Sequence, residues 1–334
     1  MKTEAKIQAI IFFASLFLVV TFSLAQQPAQ PPAQKKNPVV PPPVKAEEPQ
    51  SEEQVLKLGT TQIVLNVTVT NAGGRFISGL TSKDFRVFED KMKQEIVSFT
   101  TEETPFAAAI LLDTSGSMTP KMSLARAACA RFAAGIREGD TIAIYGFGGT
   151  KVKLMQDFTE VRDVDPLVWD TDADGNTPLY DAIVQACEAL SKREEKRRAI
   201  LLISDGADTS SRASFDQSLR IASSANVTIY SVDMSDAALG QGVARDNGAQ
   251  IIKDFAVKTG GQFFQTPGGG KLRDAFEQTV DELRHQYTVV YEPTNEKEDG
   301  KWRTVELTLR KPEFTARTRP GYYAHKTSSK AKSD

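Results

Sequence analysis

Apolar and polar positions change their period along the chain, and the changes divide it. Residues 10–22 form an apolar run, 26–54 show no apolar periodicity, and from 55 onward apolar residues begin to alternate with polar ones. This period-two texture covers 62–70, 85–89 and 95–100, with Asn71-Ala72-Gly73-Gly74 as a turn, and predicts three short strands. It returns at 287–291, 302–309 and 314–318. Between the two flanks, apolar runs of strand length at 107–112, 141–147, 199–204, 227–232 and 262–265 alternate with helix-period stretches at 121–137, 178–191, 215–224, 249–259 and 272–284. The clearest helices carry a stripe to bury: Ala125, Ala128, Phe132 and Ile136 on the first, Leu179, Ile183 and Leu190 on the next, Leu272, Phe276 and Leu283 on the last. Continuous apolar strands alternating with helices predict an α/β fold with a doubly wound, mostly parallel sheet. Three strands on each side of it are too few for separate cores. Both flanks are therefore expected to pair into one small β-sandwich, with the α/β domain inserted between its strands.

This patterning sets the expected organisation. Residues 1–25 carry Lys2 and Lys6, the apolar run and then Ser23-Leu24-Ala25, the layout of a secretory signal peptide. An uncleaved membrane anchor is the alternative, because 7–25 approaches the ~20 residues that span a bilayer. Cleavage is the preferred reading, and export to periplasm or exterior follows. Residues 26–54 are a Pro-rich linker, 55–104 the first half of the sandwich, 105–285 the α/β domain, 286–325 the second half and 326–334 a disordered tail. A net charge of -2 over 334 residues gives no reason to expect nucleic acid as a partner. The two histidines, His285 and His325, stand far apart and argue against a His-based catalytic or zinc site. Cys129 and Cys187 fall on different predicted helices near their apolar stripes. An exported chain invites a disulfide, but free buried thiols acting as small hydrophobes are preferred.

Chemistry enters at 107–118, AAAILLDTSGSM. A buried strand stops at Asp113, and Ser115 and Ser117 follow at alternating positions, with Gly116 letting the backbone turn tightly. Loops at the carboxyl ends of strands are where open α/β sheets bind ligands. One carboxylate and two hydroxyls offer only oxygen, which suits a hard cation such as Mg²⁺. Alone, such residues are an ordinary helix cap. Two more loops alter that: Gly175-Asn176-Thr177-Pro178 opens a helix with a hydroxyl at Thr177, and 199–204 ends at Asp205-Gly206. In a doubly wound sheet, Asp113, Ser115, Ser117, Thr177 and Asp205 converge on one edge.

At these five residues the chain resembles the von Willebrand factor type A domain, over about 106–284, with every position of that family's metal-ion-dependent adhesion site present. The flanks and leader resemble those of secreted bacterial type A domain proteins. The resemblance implies that the two serines and the threonine contact the metal and that the carboxylates bind it directly or through water. It also implies that a partner's carboxylate completes the shell, and that rearrangement of the metal loops is coupled to movement of the last helix.

The expected function is an exported, metal-dependent adhesion or protein-binding module. Its cofactor would be Mg²⁺, with Mn²⁺ or Ca²⁺ as alternatives, and its ligand a protein offering an Asp or Glu. Membrane contact is expected only if the leader is uncleaved. A metal-dependent hydrolase using the same site is the competing class. It needs a general base, for which Asp172, Asp174 and Asp208 are the nearest candidates, and the chain has neither a Gly-x-Ser-x-Gly elbow nor a phosphate loop. A purely structural envelope protein is the third class. Asp170, Asp172 and Asp174, with Asp181 further on, match the start of a calcium loop, but Pro178 intrudes and Glu is expected where Asp181 stands. An acidic rim to the main site is the preferred reading there, and a second ion the alternative. Asp208 and Asp233, at strand ends, are read either as outer support for the site or as caps and turns.

Overall fold

The computed structural model describes residues 62–101, 104–160, 175–206, 208–235, 243–265 and 269–325, without the side chains of 243–246 and 269. The expected leader, linker and tail, and Asp170, Asp172 and Asp174, lie outside the described residues. No described helix is long and apolar enough to cross a membrane.

The strands are β1 (Ile63–Asn71), β2 (Phe85–Glu89), β3 (Met92–Gln94), β4 (Ile96–Thr100), β5 (Phe106–Asp113), β6 (Thr141–Gly148), β7 (Lys151–Thr159), β8 (Arg197–Ser204), β9 (Val227–Asp233), β10 (Phe263–Gln265), β11 (Tyr287–Tyr291), β12 (Trp302–Leu309), β13 (Phe314–Arg317) and β14 (Gly321–Tyr323). The helices are α1 (Met122–Gly135), α2 (Leu179–Ser191), α3 (Phe215–Ser224), α4 (Val243–Thr259) and α5 (Gly269–Arg284).

A six-stranded sheet, in the order β10-β9-β8-β5-β6-β7, forms the α/β part. Its strands are parallel except β7, which runs antiparallel to β6. All eight residues of β5 are buried because helices cover both of its faces. Phe106, Ala108, Ile110 and Leu112 pack in one core with Phe132 of α1 and Phe276 of α5, while Ala107, Ala109 and Leu111 pack in the other with Leu179, Ile183, Leu219 and Phe255 of α2, α3 and α4. Cys129 belongs to the first core and Cys187 to the second, and both thiols are free and buried on opposite sides of the sheet. The fold class is the α/β class expected from the sequence.

The flanking strands form two antiparallel sheets, β13-β1-β11-β4 and β14-β12-β2-β3, each built from both ends of the chain. Leu65, Val67, Val69, Phe85, Val87, Tyr287, Val289, Tyr291 and Val305 fill the core between them. Strand β1 is buried on its other face as well, because Asn66 and Thr68 turn toward the α/β part and Thr68 Oγ1 donates to Glu282 Oε1 of α5 at 3.0 Å. The α/β part interrupts the sandwich between neighbours: Thr100, the last residue of β4, pairs with Thr288 of β11.

Arg197 closes the junction. Its buried guanidinium donates to the carbonyls of Thr101 at 3.0 Å and Thr104 at 3.4 Å on the entering chain. It also donates to Leu283 at 3.3 Å, Arg284 at 3.2 Å and Gln286 on the departing one. Glu282, 1% exposed, accepts from Thr68, from Tyr230 Oη of β9 at 2.7 Å and from Arg317 of β13, so three elements meet on one carboxylate. Gly260 allows the close fit: its φ is +83°, and a Cβ there would lie 2.5 Å from the backbone nitrogen of Arg319.

Candidate metal centre

The chain leaves β5 toward β6 on one side of the sheet and returns to β8 on the other, so the carboxyl ends of β5 and β8 border the crevice where the winding reverses. Asp113 ends β5 there, with 0% exposure. Its Oδ1 accepts the backbone N–H of Ser115 at 2.8 Å, and its Oδ2 accepts the hydroxyl of Ser204, the last residue of β8, at 2.6 Å. Burial pushes the Asp113 carboxyl up to about 6; hydrogen bonds from Ser204 and Ser115 oppose the shift, and the charge of Asp205 adds to it.

After Asp113 the chain turns into a 3-10 helix, Gly116–Lys121, with Ser115 flanking its start. Ser115 is buried and Ser117 exposed, and their Oγ atoms stand 3.1 Å apart. The loop before α2 lies against this turn, since a Cβ on Gly116 would come within 4.0 Å of Gly175 Cα. That loop holds Thr177, which is clamped to the segment after β8: its N–H donates to Thr209 Oγ1 at 2.8 Å, and its carbonyl accepts the Thr209 N–H at 3.0 Å. Asp205 follows β8 directly, with its Oδ2 3.7 Å from the ammonium of Lys121. The turn beyond it requires Gly206, whose φ is +99° and whose Cβ, if present, would meet Gly248 of α4 at 2.5 Å. The Gly206 N–H donates to Ser204 Oγ at 3.0 Å, linking this turn back to Asp113.

The donor set fits a hard divalent cation. Two hydroxyl oxygens 3.1 Å apart match adjacent corners of an octahedron with bonds of about 2.1 Å, whose edges are about 3 Å. The Asp113 carboxylate, with about four lone-pair sites, has capacity beyond the hydrogen bonds it accepts from Ser204 and Ser115. Among the described residues no cluster of three or more His, Cys, Asp or Glu is placed to hold a metal. The five-residue set consists mainly of hydroxyls and differs from such a cluster in kind.

The remaining sequence candidates fall elsewhere. Asp208 Oδ1 accepts the Ser211 hydroxyl at 2.5 Å and the Tyr180 N–H at 3.3 Å, which makes it a cap on the start of α2. The Asp181 carboxylate accepts the N–H groups of Arg212 and Ala213 ahead of α3 and so works as a loop anchor. Asp233 Oδ1 accepts the Ser235 N–H at 2.8 Å, as in a turn. Sequence reasoning missed Ser204, Thr209 and Lys121. A hydroxyl closing an otherwise apolar strand just before Asp205 was the available signal for Ser204.

Residues 108–207 match the model of the von Willebrand factor type A domain, a span containing all five candidate ligands. A search among curated proteins finds no match. Solved structures similar to the chain include the PilB minor pilin from Streptococcus sanguinis, at 15% identity and a TM-score of 0.43 over 55% of this chain and 62% of that one. The chain thus spans less than two thirds of that pilin structure. The von Willebrand factor domain of the type V pili tip protein Mfa5 from Porphyromonas gingivalis is 14% identical, with a TM-score of 0.43 over 55% of this chain and 96% of that one. A von Willebrand factor type A protein from Catenulispora acidiphila is 12% identical, with a TM-score of 0.45 over 80% of this chain and 74% of that one.

Proposed function

Because the chain carries a von Willebrand factor type A domain, we propose that it is an exported protein-binding module whose contact with its partner depends on one divalent cation, Mg²⁺ in the first instance. Asp113, Ser115, Ser117, Thr177 and Asp205 would hold the ion. The observation that carries this reading is the buried Asp113 carboxylate beside two hydroxyl oxygens at octahedral-edge spacing. When bound, the cation supplies an electrophilic position open to a carboxylate of the partner. The protein's own residues prepare that position. Ser204 and the Ser115 N–H fix the Asp113 carboxylate in one orientation. Three of the five donors are neutral hydroxyls, weaker donors to the ion than carboxylates, so the ion would stay electrophilic toward an anionic ligand at its open position.

Calorimetric titration with Mg²⁺ tests the site, and capture of envelope proteins with and without chelator tests the function. The whole chain should bind one Mg²⁺ and release its partner when chelator is added. Thr177→Ala should lose most Mg²⁺ and partner binding at a stability cost of about 1 kcal/mol or less, the scale of a single capping hydroxyl. Partner capture indifferent to both chelator and Thr177→Ala would remove the metal from the mechanism. Metal-dependent hydrolysis of a phosphate or peptide substrate, lost in Asp113→Ala and Asp205→Ala alike, would make the protein an enzyme.

A further inference from the structure

Lys121 stands where the 3-10 helix Gly116–Lys121 passes into α1, close to the candidate site. It flanks the N-terminus of α1, a 14-residue helix with no acidic residue in its first turn, and its side chain makes no capping hydrogen bond. The ammonium points to the crevice, 3.7 Å from Asp205 Oδ2, with the two side chains only 18% and 16% exposed. A half-buried ammonium paired with one of the five candidate ligands bears on the charge balance of that set.

Resting on the metal reading above, we propose that Lys121 is a tethered counter-cation of this site: it occupies Asp205 in the metal-free protein, weakens cation binding, and leaves the loaded site positively charged. Asp113, Asp205 and Lys121 together carry one negative charge when ionised. A divalent ion turns that into one positive charge, whereas without Lys121 the loaded site would be neutral. The ammonium therefore exchanges part of the metal affinity for attraction toward an anionic ligand, and couples the two binding events. A carboxylate arriving at the loaded site relieves the repulsion between ammonium and metal, so the cation binds more firmly once a ligand is present.

The test is calorimetric titration of the whole chain with Mg²⁺ at pH 8, comparing wild type with Lys121→Met, Lys121→Gln and Lys121→Arg. Both neutral variants should bind Mg²⁺ roughly tenfold tighter, the size expected for one unit charge acting on a divalent ion across a screened carboxylate. The arginine variant, which keeps the charge, should stay within about twofold of wild type by the same argument. Replacing chloride by acetate should strengthen Mg²⁺ binding by wild type more than by the neutral variants. Neutral variants that bind Mg²⁺ equally or more weakly, or an equal acetate effect in all, overturn the proposal while leaving the metal reading intact. Absence of Mg²⁺ binding in wild type and variants alike removes the metal reading itself.

Discussion

Asp113 shows how much a single buried carboxylate can weigh on the stability of the metal-free fold. Its ordinary pKa of 3.8 rises to about 6 in the folded protein, chiefly through burial. Between those values the native state holds a proton that the unfolded chain has released, so metal-free stability falls as pH rises from 4 to 6 and stays reduced above. The full cost is about 3 kcal/mol. Asp113→Asn removes the charge, though its amide cannot reproduce both accepted hydrogen bonds. In chelator at pH 8 it should be more stable than wild type by about 1–2 kcal/mol, with the advantage gone near pH 5. Thermal unfolding across that range checks this, and a variant less stable at every pH would refute it. Addition of Mg²⁺ should raise the melting temperature of wild type and leave the variant unchanged. At this scale Asp113 stood out in the sequence because a carboxylate ending a buried apolar run has few structural reasons to be there. Ser204 offered the same signal, a hydroxyl ending an apolar strand, but Lys121 looks like a surface lysine until the sheet brings Asp205 beside it.

Among the elements, legibility followed burial. Strand β5 could be read directly because both faces are covered, and α3, β2, β11 and β12 fall on the residues expected. Strand β7 could not. Lys151-Val152-Lys153-Leu154 belongs to an exposed antiparallel edge, where the hydrophobic signal is weak and pairing through the Gly149-Thr150 turn decides the structure. Strands β3 and β14, three residues each, exist only because β2 and β12 offer them a partner. Helix α5 was recognisable from its stripe, but its attachment was not. An axial shift of this helix, which the family resemblance would couple to the metal loops, has to break the contacts of Glu282 with Thr68, Tyr230 and Arg317. Glu282→Ala should therefore cost about 3 kcal/mol in urea unfolding, as breaking a buried ion pair does. Asp254→Asn, which removes only the exposed pair with Lys258, should change stability by about 0.5 kcal/mol or less. Equal effects of the two would mean that the α5 junction contributes no more than a surface contact.

For the whole molecule, the six-stranded sheet was foreseeable from the alternation of strand and helix, while the partners of the flanking strands were a matter of economy and not of pattern. The pairing observed has a direct test. Because Thr100 and Thr288 are neighbours in antiparallel strands, a chain lacking 102–286, with Thr101 joined to Tyr287 through Asn-Gly, needs only a tight turn to keep its register. The face this uncovers includes the polar residues Asn66, Thr68 and Thr288. The shortened protein should remain soluble, with a β-type circular dichroism spectrum and a cooperative melt, whereas a chain ending at Arg284 leaves β1 and β4 without β11 between them and should lose order in 62–101. A shortened chain without a cooperative melt would show that the sandwich depends on its insert. The same adjacency bears on mechanics. A pull applied to the flanking chain reaches the type A domain only after the β4–β11 ladder has sheared and Arg197 has let go of the carbonyls on both connections. Until then the load runs through the sandwich and around the inserted α/β part. For a pull on the two flanks the inserted domain is thus loaded in parallel with the sandwich, and can stay folded under forces that would unravel a domain strung in series.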